Sequence, residues 1–152
     1  MTNNPVLFFW LPSIYFVLHT LEEIPGFAPW VTQHFGPMTT LSFVMTHIPL
    51  LLLTFYASYR ASKEQRNTGW AILCTAIMFE FVFNAIFHFT TATLFNEYSP
   101  GMFTAAILSF LFCAYYIRRI RTEKRLTTIQ LIWATWWGLL LAAAAIGVLF
   151  LH

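Results

Sequence analysis

From about residue 6 to residue 151 the chain is a succession of apolar runs separated by short polar connections, several of them near or above the roughly 20 residues that a helix needs to cross a bilayer. A backbone in hydrocarbon has no water to bond to, so runs of this kind fold as helices that satisfy their own N–H and C=O groups. The pattern predicts an all-α, polytopic transmembrane bundle of about five helices, over about 6–24, 41–59, 69–91, 100–117 and 127–151, forming one integral membrane domain over 1–152. With 59% of its residues hydrophobic and 9% charged, the chain has too little polar surface for a soluble domain. The stretch Phe27 to Thr40 contains Pro29, Gly36 and Pro37 and is too broken to span. It reads as a surface or re-entrant loop on the outer side, with Trp30 at the interface.

Charge is equally informative. The eight basic residues fall into two clusters, Arg60, Lys63 and Arg66, then Arg118, Arg119, Arg121, Lys124 and Arg125. Clusters beside helix ends act as topology determinants rather than as a nucleic-acid patch, and they belong on the cytoplasmic face. That puts the N-terminus in the cytoplasm and the C-terminus outside, with membrane lipid as the surrounding partner. Cys74 and Cys113 match no thiolate metal motif and read as small buried apolar residues. The first run lacks a basic leader and a small-x-small cleavage site, so it is expected to remain in the mature protein.

Against this background a few ionisable residues stand out. The first run ends in His19-Thr20-Leu21-Glu22-Glu23, the second carries His47 just before Pro49, and the third carries Glu80, Asn84 and His88 at steps of four. An ionised carboxylate at mid-depth costs on the order of 3 kcal/mol, so such residues have a task or a partner. His19, Glu22 and Glu23 share one broad helix face. The topology brings His19, Glu22, Glu23, His47, Asn84 and His88 to a similar outer depth, leaves Glu80 near mid-depth and puts Glu97 in an outer connection. Ser99 is expected to cap the following helix with Pro100 in its first turn, which places Glu97 near the positive end of that helix.

His19, Glu23, His47, Glu80 and His88 form a donor set for zinc, iron or manganese, as one ion or two. No Lys or Arg lies at that depth to balance the carboxylates, and a bound cation would. Two other solutions are open, protonated carboxylates and polar groups that merely bond one another between helices. Asn84 is placed to orient a ligand, Glu97 joins Glu22 and Asn84 as a candidate catalytic group, and Tyr98 stands at the rim. His34 and His152 are left outside the site.

His-x-x-Glu-Glu is similar to the inverted zinc-hydrolase signature His-x-x-Glu-His, which implies His19 and Glu23 as ligands and Glu22 as the base that takes a proton from metal-activated water. More broadly, His19-Thr20-Leu21-Glu22-Glu23, Asn84-Ala85-Ile86-Phe87-His88 and Glu97-Tyr98-Ser99-Pro100-Gly101 resemble the signature elements of the HXXEE family of small bacterial integral membrane proteins. The resemblance implies a bacterial cytoplasmic membrane protein and supports this choice of residues, without an established reaction. The expectation is therefore a membrane-embedded metalloprotein, zinc favoured, acting as a hydrolase on a lipid or apolar substrate that enters from the bilayer. The alternatives are a carboxylate-rich di-iron oxidoreductase and a metal or proton carrier or sensor. A carrier needs a second polar path through the inner halves of the helices, where the sequence shows few polar residues.

Overall fold

The computed structural model describes residues 7–64 and 66–150. Val6 and Leu151, expected at the ends of the first and last helices, and His152, expected outside the site, lie outside those residues. A 3-10 turn over Leu7–Trp10 leads into α1 (Leu11–Glu23), followed by α2 (Phe27–His34), α3 (Thr40–Lys63), α4 (Thr68–Phe95), α5 (Met102–Thr122) and α6 (Thr128–Val148). There is no strand among the described residues.

Four helices, α3 to α6, are long and apolar enough to cross a membrane, the mark of an integral membrane protein. Five were expected, and the first of them differs. Pro12 stands in the first turn of α1, where its missing N–H and fixed φ are tolerated, and the chain before it winds as a 3-10 turn instead of continuing the helix. The thirteen residues of α1 cover only about 20 Å at 1.5 Å per residue, short of a hydrocarbon core.

The expected broken loop contains a helix. Phe27, Ala28, Trp30 and Val31 form a buried stripe on α2 and pack with Phe43 and Leu149 into a second, smaller core. Pro29 falls within the first turn, where proline does no harm, so the breakers frame this helix rather than prevent it.

The main core joins Phe9, Tyr15, Met78, Phe81, Tyr116 and Ile120 from four segments. Along α6 the buried residues are Ala134, Gly138 and Ala142, a small residue at every fourth position, which lets two backbones approach closely. A Cβ on Gly138 would stand 2.7 Å from the Ala76 carbonyl oxygen on α4, so this contact admits glycine alone. The Arg119 guanidinium lies 5.6 Å from the Phe8 ring, and Phe8, Ala61, Ala71, Ile120 and Leu126 share one cluster, so both basic connections sit at the same end of the bundle. Arg60–Glu64 and Arg125–Glu123 ion pairs of 2.5 and 3.1 Å offset part of that charge. Three buried hydroxyls in this half, on Thr54, Ser62 and Thr75, bond backbone carbonyls of their own helices, and Ser13 bonds Ser58 across the α1–α3 contact.

Candidate metal centre

At the other end of the bundle, α1 and α4 face each other through residues at helical spacing. His19 and Glu23 are one turn apart on α1, and Asn84 and His88 one turn apart on α4. His19, Glu23 and His88 are buried, and each offers a ligand atom within 4.8 Å of the other two. Nε2 of His19 and Nε2 of His88 both lie 3.5 Å from the same Glu23 oxygen, Oε1. The other carboxylate oxygen is 3.8 Å from Nε2 of His47, which comes from α3.

The hydrogen bonds assign the protons. Thr104 Oγ1 donates to the Gly101 carbonyl at 3.2 Å, so it accepts from His19 Nδ1 at 2.8 Å. That leaves a lone pair on His19 Nε2. The Asn84 amide nitrogen lies 3.0 Å from His19 Nε2 and 3.3 Å from His88 Nε2, and an amide nitrogen only donates. Both rings therefore carry the lone pair on Nε2 and donate through Nδ1, His88 to Ser99 Oγ at 2.9 Å. His47 donates through Nδ1 to the Phe43 carbonyl at 2.8 Å, which again frees Nε2. Three imidazole lone pairs and a carboxylate thus converge, and no hydrogen bond reaches either Glu23 oxygen among the described residues.

Distance separates the ways of satisfying such a cluster. A shared proton would draw a carboxyl oxygen and an imidazole nitrogen to about 2.7 Å. Two ligands held about 2.1 Å from one tetrahedral ion stand about 3.4 Å apart, close to the 3.5 Å seen on both sides of Glu23 Oε1. Two imidazoles oriented by hydroxyls and one carboxylate make a group that could hold a metal ion.

The remaining expected residues stand elsewhere. Glu22 points away from the cluster, as the 100° between successive helix residues requires. Its Oε1 accepts from the Phe103 N–H at 2.9 Å and from the Tyr98 hydroxyl, and its Oε2 accepts from the Thr104 N–H at 2.7 Å. It closes the N-terminal end of α5, the position the sequence suggested for Glu97. Glu97 instead pairs with His34 at 2.5 Å, so His34, set aside in the sequence, braces the same region from α2. Glu80, one turn before Asn84, lies outside the three-residue group and has no hydrogen-bond or ion-pair partner among the described residues. His47 touches the group from its rim.

Residues 97 to 101 close the end of the site. Ser99 is spent on His88 rather than on a helix cap, and the residue before α5 is Gly101, with φ +96°. A Cβ there would lie 2.8 Å from Cε1 of His19 and of His88 and 2.9 Å from Cγ of Glu23. Only glycine can seat the backbone on all three at once. Burial, and then the bond to Glu22, pushes the Tyr98 phenol up to about 12. Thr104 has no counterpart in the sequence reading. It stands just before the π-helical turn Ala105–Ser109, a widened turn of the kind that often accompanies functional sites.

Fold and site together define a helical membrane-type bundle built around a buried His/Glu cluster. The family model described as "Protein of unknown function with HXXEE motif" matches residues 10–116, well over half of the chain, and the protein belongs to that family. The motif's residues are His19, Glu22 and Glu23. No curated protein and no solved structure matches the chain.

Proposed function

We propose that this protein is a membrane-embedded metalloenzyme that holds one divalent ion, zinc in the first instance, between Nε2 of His19, Nε2 of His88 and a Glu23 oxygen, and hydrolyses a lipid or other apolar substrate. The observation that carries the reading is the approach of two imidazole Nε2 atoms and a buried Glu23 carboxylate to within 4.8 Å of one another, with no Lys or Arg paired to that carboxylate among the described residues. Two histidines and a glutamate make one of the donor sets used by catalytic zinc sites, in which a further position stays open to water or substrate. When bound, the ion would polarise a carbonyl or phosphoryl oxygen and make water acidic.

The chain's own groups take the other roles. Thr104 and Ser99 hold the rings of His19 and His88 in the tautomer that offers Nε2. Asn84 positions both nitrogens, and a half-turn of its amide would present an oxygen to the ion in place of hydrogens. The base is reassigned from Glu22, whose oxygens are occupied, to His47, whose Nε2 has no hydrogen-bond donor facing it and lies 3.8 Å from Glu23. The basic end is placed in the cytoplasm and the cluster near the outer surface.

Neither alternative gains from the geometry. A two-iron centre needs several carboxylates, and only Glu23 is in the group. A carrier needs exchangeable polar groups in the basic half, where the hydroxyls of Thr54, Ser62 and Thr75 are committed to backbone carbonyls.

The test is elemental analysis of purified protein together with a lipid-ester cleavage assay. One zinc per chain is expected, with activity lost to a chelator and restored by zinc, and neither metal nor activity in His19→Ala or His88→Ala. Folded wild-type protein that is active without metal would end the reading.

A further inference from the structure

The charge at the basic end is unevenly matched. Arg60 is paired with Glu64, and Arg119 and Arg125 share Glu123. No other acid belongs to the two basic connections. The side chains of Arg121 and Lys124 are exposed and have no acid or hydrogen-bond partner among the described residues.

Charges that serve only to orient a helix in the membrane need no particular shape around them. These two have one. With Leu126, Thr127, Thr128 and Leu131 they line a hollow of about 320 Å³ between the end of α5 and the first turn of α6. The connection that forms it is held in place. Glu123 ties Arg119 on one side and Arg125 on the other, the Lys124 N–H donates to the Arg121 carbonyl at 3.1 Å, and the Arg125 N–H donates to that of Ile120 at 2.9 Å. Leu126 is buried in the main core. To make this turn Lys124 takes φ +50°, a conformation that glycine adopts without strain, yet the residue is one whose ammonium lines the hollow.

The other wall is apolar. Leu131 lines it, and Ile129, Ile132 and Trp133 on the same turns of α6 are exposed, on a helix long and apolar enough to cross a membrane. The hollow therefore joins a cationic, hydroxyl-bearing side to an apolar side where the helix enters the bilayer, the level at which headgroups and tryptophan rings lie. The first basic connection also surrounds a hollow, but Glu64 stands in its wall beside Lys63 and Arg66, so an anion there would meet a carboxylate.

We infer that the hollow between α5 and α6 binds the phosphate of an anionic phospholipid, held by Arg121 and Lys124 with the Thr128 hydroxyl as a further donor, while the acyl chains run along Leu131. The guanidinium offers a planar fork that matches phosphate oxygens, and the ammonium a mobile point charge. The phosphate supplies to these two cations what Glu123 supplies to Arg119 and Arg125. The site lies at the opposite end of the bundle from the His/Glu cluster and is independent of the metal reading.

Lipid titration of the purified full-length protein in neutral detergent, read by native mass spectrometry, tests the site. Phosphatidylglycerol is expected to bind, phosphatidylcholine to bind far more weakly, and inorganic phosphate to leave the lipid in place, since it lacks the apolar half. Arg121→Gln with Lys124→Gln should weaken phosphatidylglycerol binding by about tenfold or more. Lys63→Gln with Arg66→Gln removes as much charge from the same end and should leave binding nearly unchanged. Lys124→Gly suits the positive φ, so it should melt no earlier than the wild type and still bind the lipid more weakly, which separates a lost contact from a lost fold. Equal weakening by the two double variants, unchanged binding in the Arg121/Lys124 pair or in Lys124→Gly, or equal binding of phosphatidylcholine would overturn the site. Displacement of the lipid by inorganic phosphate would overturn the lipid as its ligand.

Discussion

At the scale of single residues, the site is a problem of proton placement. A histidine ligates with the nitrogen that carries no hydrogen, and the bond made by the other nitrogen decides which one that is. Thr104 settles it for His19 because its own hydrogen already goes to Gly101. Thr104→Val keeps the shape and removes the acceptor. Zinc affinity, read by calorimetric titration, should then fall by about 10- to 100-fold, the usual cost of losing an outer hydrogen bond to a metal-binding histidine. Unchanged affinity would mean that the hydroxyl does not set the tautomer. Gly101→Ala is harsher, because it combines a positive φ with contacts of 2.8–2.9 Å to His19, His88 and Glu23. The strained backbone alone costs on the order of 1–3 kcal/mol, so the thermal midpoint should drop and the zinc site should be lost with it. A variant with wild-type melting and binding would show that the loop does not rest on the cluster.

At the scale of elements, the connection between α4 and α5 acts as a cover held by side chains from α1, α2 and α4. The Tyr98–Glu22 bond supplies a pH signature. Because the folded-state pKa of the phenol is raised from 10.0 to about 12, its contribution to stability is complete below pH 10 and disappears as the pH rises through about 12. In Tyr98→Phe, stability measured by denaturant titration should fall less steeply over that window than in the wild-type protein, whereas an unchanged alkaline profile would deny the bond a role. This scale also shows what was legible beforehand. Helices α3, α4, α5 and α6 follow from apolar length alone, because only a helix satisfies its backbone in lipid. The early end of α1 as an α-helix was hidden, since a proline in a first turn is compatible with both a bend and a start. Helix α2 was hidden by its own punctuation, Pro29, Gly36 and Pro37, although Phe27, Trp30, Val31 and His34 already carried helical spacing.

At the scale of the whole molecule, charge and hydropathy divide the bundle into a basic end and a His/Glu end, and the family motif lies wholly at the second. His19, Glu23 and His88 could be picked out because ionisable groups in apolar runs are rare and costly. Glu22 and Glu23 were separated only by similarity to a hydrolase signature, since their roles depend on which side of α1 meets α4, a matter of packing. Ser99 lay inside a noticed motif but was expected to cap a helix rather than to hold His88, the task of Gly101 in the same motif was unread, and Thr104 gave no local sign at all, being delivered by the turn that follows Gly101. The centre is assembled from three segments that no short window of sequence contains. Its central claim is therefore best tested where the three meet, by anomalous scattering at the zinc edge from crystals grown with zinc. The account predicts one strong peak per chain, bounded by Nε2 of His19, Nε2 of His88 and the Glu23 carboxylate, and absent from His88→Ala crystals. Density free of any peak there, or a peak indifferent to that substitution, would contradict it.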